Sequence, residues 1–348
     1  MKNQIKKVSL INWVSSSWII YLVCLTPTRL PAVVIQKFEK NVKTQYAVKV
    51  LAEKISRKTV EEQLRDFVKN SRPSRISGSS GHTKARDYIE KKIKDKAING
   101  ASFLKEEFKA DNGQNGVNFI WEKKGIQSPD EVMILIANYD TYGPQNEKNK
   151  NQIIEMPGAD NNASGVALLL SMMELFAELD MPKTIKLVFL DLEGPSAFGS
   201  QEFAKRLMSS IGNQKIAGVL NLFMLAHDTK INDSEKKFNN FKIYYKNSDK
   251  TLASLISEKS HKLYGSFEFK EFEVEAQRDS NDKFPPTLQS FWSLGLPAVT
   301  LSENRETDLN PRYNTSNDFV ETLNFNTYLL VFRALTGTVL SWNYGIVK

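Results

Sequence analysis

The sequence predicts an α/β protein of three layers, with a mostly parallel central sheet flanked by helices, and three features carry that prediction. Two apolar runs, Val132 to Ala137 and Thr184 to Leu190, lack the polar alternation of half-exposed strands and read as strands buried on both faces. Between them a polar turn, Met156-Pro-Gly-Ala-Asp-Asn-Asn-Ala-Ser-Gly165, runs into an apolar helix from Val166 to Leu179. Both strands end in acidic or amide residues, Asn138-Tyr-Asp140 after the first and Asp191-Leu-Glu-Gly194 after the second. In open α/β sheets the chemistry collects at those carboxyl ends.

The chain has 348 residues, 41% hydrophobic and 25% charged, enough for one sizeable core. The net charge of +7 is modest for this length, and without an Arg-rich helix or an aromatic and basic nucleotide-binding motif it gives no case for nucleic acid. Neither a phosphate-cradling glycine loop nor a Gly-x-Ser-x-Gly elbow is present, so nucleotide and serine-hydrolase readings have no support. Cys24 is the only cysteine, which excludes an intrachain disulfide and a cysteine-based zinc site.

Residues 1–33 read as a signal anchor or signal peptide. Three lysines in the first seven residues precede an apolar run of about 18 residues from Val8 to Leu25, at the short end of the membrane-spanning range. No small-x-small cleavage site is evident, which favours an uncleaved anchor. The expected location is the cell envelope, with the main domain outside the cytoplasm, or secreted if the segment is cleaved.

Residues 34–70 read as a helical linker of one or two amphipathic helices, with Phe38, Val42, Tyr46, Val50, Leu64 and Phe67 at three- and four-residue spacing. Residues 71–348 form the α/β domain. It opens on a loop, Ser71 to Gly81, and a basic helix from Thr83 to Ile98 in which His82 reads as a surface or capping residue. Phe103 to Phe108 and Val117 to Glu122 are strand candidates, and Tyr142 to Glu155 is a long polar loop. Further on come a helix from Gln201 to Ser210, a strand from Lys215 to Leu225, a strand from Phe241 to Tyr245 and a helix from Asp249 to Leu263. Phe267 to Phe284 is acidic then polar, and a last strand from Leu296 to Leu301 and a closing helix from Asn324 to Trp342 complete the domain. Asp160 stands out in the polar turn as a carboxylate between small residues, and Asn161, Asn162 and Ser164 are candidate caps of the helix that follows.

From about residue 70 to the end, the chain resembles the di-zinc aminopeptidase family, whose relatives include glutamate carboxypeptidase, glutaminyl cyclase, the transferrin receptor ectodomain, nicalin and nicastrin. The stretches that carry the resemblance occur in family order. They are Arg75-Ile-Ser-Gly78, Asn118, Asn138-Tyr-Asp140, Gly158 to Val166, Glu193 with Gly199-Ser200, Asn221-Leu-Phe-Met224, Phe291 to Pro297, and Tyr313-Asn-Thr315 ahead of Asp318. The resemblance implies a mixed sheet with an antiparallel edge at Phe103 to Glu122. It also places the family's metal ligands at Asn138, Asp160, Gly194, Phe223 and Asn314, and its general base at Glu193.

Only Asp160 of those five is an anionic or imidazole ligand. A two-metal site needs such ligands to hold two cations that activate a water and stabilise an oxyanion, and amides, Gly and Phe do not supply them. Without a metal-bound water, Glu193 has nothing useful to deprotonate. The expectation is therefore a peptidase-like protein without cofactor that acts by binding a protein or peptide partner, and meets the membrane through its N-terminal segment. Under that reading Asp160, Asp140 and Glu193 persist as caps and hydrogen-bond partners of inherited loops. The alternative is a zinc-dependent aminopeptidase or peptidase with a rebuilt site, for which His227, Asp228, Glu303, Asp308 and Asp318 are the nearest replacement ligands.

Overall fold

A computed structural model describes residues 44–142, 155–229, 240–274 and 286–346. The apolar run from Val8 to Leu25, most of the Tyr142 to Glu155 loop, and the segments 230–239 and 275–285 lie outside the described residues. Among the described residues no helix is long and apolar enough to cross a membrane.

Eight strands form one mixed sheet in the order β1-β2-β4-β3-β5-β8-β6-β7. They are β1 (Ala101–Lys109), β2 (Asn115–Lys123), β3 (Ser128–Asn138), β4 (Lys183–Leu190), β5 (Lys215–Leu222), β6 (Lys242–Tyr245), β7 (Lys270–Glu273) and β8 (Ala298–Ser302). The central strands β4, β3, β5 and β8 run parallel, while β1 pairs antiparallel with β2 and β2 with β4, the expected antiparallel edge. Strand β7, which pairs parallel with β6, is an element the sequence does not announce. Its four residues are half-buried or exposed and three of them are charged, so no apolar period marks it.

The alternation of a strand sorts its side chains between two cores. Met133, Leu135 and Ala137 of β3 join the larger one, while Val132, Ile134 and Ile136 of the same strand join the smaller. The larger core takes in helices α1 (Gln45–Ala52), α2 (Arg57–Asn70), α3 (Ser80–Asp95), α4 (Gly165–Phe176), α6 (Lys250–Leu263) and α8 (Phe325–Asn343). The smaller core packs α5 (Phe198–Ser209) and the short α7 (Thr287–Trp292) on the other face. Every residue of α4 but Glu174 is buried, and at roughly 1.5 to 3 kcal/mol for each large apolar side chain it is a central brace of the domain. Helices α1 and α2 bury Val48, Leu51, Leu64 and Phe67 in the same core.

The register of the parallel strands sets up the site. Asn138 lies beside Leu190, and Ile136 lies beside Asn221. The residues that follow these strands, Tyr139-Asp140, Asp191 to Gly194 and Phe223-Met224, therefore emerge together along one edge of the sheet.

Candidate functional site

Two glycines and an arginine shape the turn before α4. Gly158 has φ +55°, and a β-carbon there would run into Asn161 O, Thr141 and the Arg75 guanidinium, so no other residue fits. Arg75 is buried on the Phe67 ring, its guanidinium carbon 5.2 Å from the ring centroid. It donates to Tyr139 O (2.7 Å), Pro157 O (2.6 Å) and Gly158 O (2.8 Å), so one side chain ties the end of β3 to the turn. Burial holds this guanidinium down to about 10, against the pull of Asp318 and Asp140. Gly165 lets the start of α4 press against Leu222 O at the end of β5.

Residues 159–164 form one wide π-type turn, and Asn161 and Asn162 leave helical geometry within it. The Asn161–Asn162 peptide is cis. The capping expected of these residues does not occur, because their side chains are spent on other loops. Ser164 Oγ donates to Asp160 O (2.8 Å) and accepts from Leu225 N (3.1 Å). Asn162 Nδ2 donates to Asn138 Oδ1 (2.9 Å) and Leu222 O (2.8 Å), and its Oδ1 accepts from Met224 N (3.0 Å). Asn161 Nδ2 donates to Asn314 Oδ1 at 2.7 Å.

The turn thus presents Asn161, not Asp160, to Asn314. The Asp160 carboxylate points elsewhere, accepting from Ala226 N (3.0 Å) and Asn310 Nδ2 (2.9 Å) with no exposed surface. Asp160, the one anionic residue among the expected ligand positions, thus faces hydrogen-bond donors of the protein and not Asn314. Glu303 joins it there, accepting from Asn310 N (2.8 Å) while its other oxygen is buried without a donor. Burial and the adjacent Asp160 push the Glu303 carboxyl well above the carboxylate range. Asp318 accepts from the backbone N–H groups of Asp160 (3.0 Å) and Asn161 (3.0 Å). Burial and Asp160 raise it to about 7.

The other positions fare as follows. Gly194 is half-buried under the Tyr142 ring, and a β-carbon built on it would sit 3.2 Å from that ring. Phe223 lies one residue beyond the end of β5 and faces the Arg305 guanidinium, whose carbon is 5.2 Å from its centroid. Glu193 is buried, accepting from Ser200 N (2.5 Å) at the start of α5 and from Thr287 Oγ1 (2.6 Å) of α7. Burial raises it to about 7, with Thr287 pulling it down and Asp140 pushing it up. Asp140 accepts from Glu193 N (3.1 Å) and from Asn138 Nδ2 (3.2 Å). Burial and the charge of Asp191 lift it to about 6.

His82 is neither a surface nor a capping residue but is buried, its Nε2 2.7 Å from Asp191 Oδ1. Arg86 Nη2, one helical turn on, lies 2.5 Å from Asp191 Oδ2, and Val117 N donates to the same oxygen at 3.0 Å. Burial alone would raise Asp191, but His82 and Arg86 outweigh it and hold the carboxylate below its usual range. The i, i+4 spacing of His82 and Arg86 on α3 was the available signal.

The remaining replacement candidates form a separate group. His227 Nε2 lies 3.8 Å from Asp308 Oδ1. Asp228 accepts from Asn240 Nδ2 (3.1 Å) and Thr327 Oγ1 (3.1 Å), and Asp308 from Thr229 N (2.9 Å) and Asn240 Nδ2 (2.5 Å). Among the described residues no three His, Cys, Asp or Glu side chains are grouped so as to hold a metal ion.

The sequence model of peptidase family M28 matches residues 118–339. The chain belongs to that family. No curated protein matches it by sequence. Among solved structures it is similar to the LapA aminopeptidase of Legionella pneumophila, with a TM-score of 0.68 and 14% identity over 87% of this chain and 76% of that one. A zinc-dependent exopeptidase of Parabacteroides distasonis gives a TM-score of 0.62 and 18% identity over 83% of this chain and 98% of that one. The glutaminyl cyclase of Porphyromonas gingivalis gives 0.61 and 19% over 82% and 97%. At these identities the structural likeness establishes the fold.

Zinc is the metal of this family, and its fit to the present residues can be judged from their donors. Thiolate, imidazole and carboxylate hold Zn²⁺. The side chains that meet here are the amides of Asn138, Asn161 and Asn314, bonded to other amides, together with a ring at Phe223 and no side chain at Gly194. This set does not fit the ion.

Proposed function

We propose that this member of peptidase family M28 is non-catalytic and acts by binding a protein or peptide partner in the cleft at the carboxyl ends of β3, β4 and β5. The observation that carries this reading is the pair of amide–amide hydrogen bonds that Asn161 donates to Asn314 and Asn162 donates to Asn138. Where a metallopeptidase needs converging anionic or imidazole donors, these loops are laced to each other by neutral groups. Glu193 supports the same reading, since both its oxygens hold the starts of α5 and α7.

Near these strand ends Tyr142, over Gly194, is exposed and Tyr313 is half-buried, and such rings give a partner large contact area at low entropic cost. Residues 1–33, with their lysines and apolar run, support attachment of the protein to the cell envelope with the domain outside the cytoplasm, or its release if that segment is cleaved.

Aminopeptidase and glutaminyl cyclase assays with added zinc, run on the wild type and on Glu193→Gln, test the reading. No turnover above background is expected in either protein. Turnover in the wild type that disappears on Glu193→Gln would show a rebuilt active site and end the proposal.

A further inference from the structure

Strand β1 ends the sheet on one side, and the bonds made by β2 show which of its groups face outward. Val117 N donates to Asp191 Oδ2 (3.0 Å) and Tyr139 Oη donates to Val117 O (2.8 Å), both away from β1. Odd-numbered residues of β2 therefore point toward β4, and even-numbered ones bond β1. The register sets Phe108 against Gly116 and Glu106 against Asn118, so the N–H and C=O groups of Phe103, Lys105, Glu107 and Lys109 lie along the outer edge. Among the described residues, the one bond made on that stretch of edge runs from Arg206 Nη2 to Glu107 O, at 2.7 Å.

Edge strands are commonly short, bulged or covered, and lysines on them discourage pairing, which is the plain reading of Lys105 and Lys109. Strand β1 departs from it in two respects. It keeps an unbroken register with β2 over nine residues. A cavity of about 640 Å³ between β1 and α3 also leaves its odd-numbered face open at Lys105, Glu107 and Lys109, all three exposed.

Charge along that face selects the occupant. Lys105 Nζ lies 2.9 Å from Glu107 Oε1, so a basic and an acidic group stand side by side on one strand. A second β1 laid antiparallel on the first, with Glu106 opposite its own copy, sets each Lys105 opposite the Glu107 of the other chain. The four charges then alternate around a two-fold axis, and opposite charges directly across a strand pair stabilise it. Shifting the axis by one residue either way would instead set Lys105 against Lys105 or Glu107 against Glu107. On the other face the favoured register brings exposed Leu104 beside Phe108 of the second copy. It also brings Glu106 against itself; burial raises this carboxyl and its Oε2 is buried without a donor, so the two can share a proton across the axis.

We propose that β1 is a self-association edge, through which two copies of this chain join antiparallel about a two-fold axis at Glu106 and extend the sheet from one to the other. The pairing is independent of whether the strand-end cleft binds a partner.

The test is cysteine trapping in the full-length protein carrying Cys24→Ser, which removes the only native thiol. Glu106→Cys and Leu104→Cys are added to it singly and oxidised mildly. Facing residues at the axis lie about 4.5 Å apart between Cα atoms, within disulfide range, whereas the two Leu104 positions lie roughly 14 Å apart. Glu106→Cys is expected to run as a disulfide-linked dimer on a non-reducing gel, and Leu104→Cys as a monomer. No dimer from Glu106→Cys, or equal linkage in both, would overturn the proposal. Sedimentation in mild detergent gives a second reading. Lys105→Glu is expected to weaken self-association at least about fivefold, and Lys105→Glu combined with Glu107→Lys to restore most of it. A combined variant no tighter than Lys105→Glu alone would overturn the proposal, as would a wild type that stays monomeric at about 100 μM, whatever the stability of the variants.

Discussion

Two buried polar regions, one around Asp191 after β4 and one around Asp160 in the turn before α4 and Glu303 after β8, deal with charge in opposite ways. Around Asp191 the carboxylate is ionised, and His82, Arg86 and two backbone N–H groups surround it. Asp160 and Glu303 accept from backbone N–H groups and the Asn310 amide, Glu303 is pushed well above the carboxylate range by burial and by Asp160, and the neighbouring loops are joined by amides. The first region keeps α3 seated on the sheet, and its charge stays because cations on the same chain face it. In the second, the acids are buried beside one another, and under the binding reading proposed above a proton takes the place that a cation would fill.

The largest effect should come from breaking the paired region. Asp191→Ala leaves Arg86 and His82 facing a buried gap and should cost about 3 to 5 kcal/mol in urea-induced unfolding. On the amide side, Asn162→Ala removes bonds to Asn138, Leu222 and Met224 and should cost about 1 to 3 kcal/mol by the same measurement. A loss as large as that of Asp191→Ala would mean that the amides carry as much of the fold as the ion pair.

Acidity sharpens the contrast further. Asp140, raised to about 6, and Glu193 and Asp318, raised to about 7, hold their protons longer in the folded state than in the unfolded chain. Their contribution to stability is whole below about pH 4 and is lost as pH rises through 6 to 7. Asp191, held low, has the opposite sign, and its contribution is lost as pH falls below about 4. Thermal melts between pH 4 and 8 should show the midpoint declining with rising pH, and Glu193→Gln should flatten that decline. A midpoint that climbs over this interval would contradict the assignment of protonated acids to the cleft. The smallest effect belongs to the surface: Arg65→Ala, which cuts exposed pairs with Glu61 and Glu321, should shift stability by less than about 1 kcal/mol.

Strong periods made the fold legible. The apolar runs of β3 and β4 and the fully buried α4 leave little choice of layer, and the acidic strand ends point to the right edge of the sheet. The site was legible as a place and less so as a set of side chains. Three successive polar residues, Asp160, Asn161 and Asn162, cannot be sorted inward or outward from sequence when the backbone between them leaves helical geometry. His82, Arg305, Asn310 and Thr287 were missed for a related reason: each acquires its role from a partner more than 60 residues away, and no local period encodes such a pairing. Charge-rich β7, with four residues and one paired edge described, offers no apolar pattern to read.

The claim beneath all of this is that Asn138, Asn161, Gly194, Phe223 and Asn314 cannot grip a divalent ion. Metal analysis of the full-length protein, purified without chelator and dialysed against micromolar zinc, reads that claim directly. Well under one zinc per ten chains is the expected result, with no change in melting temperature on adding a chelator. One or two zinc ions per chain, lost together with thermal stability on chelation, would contradict it.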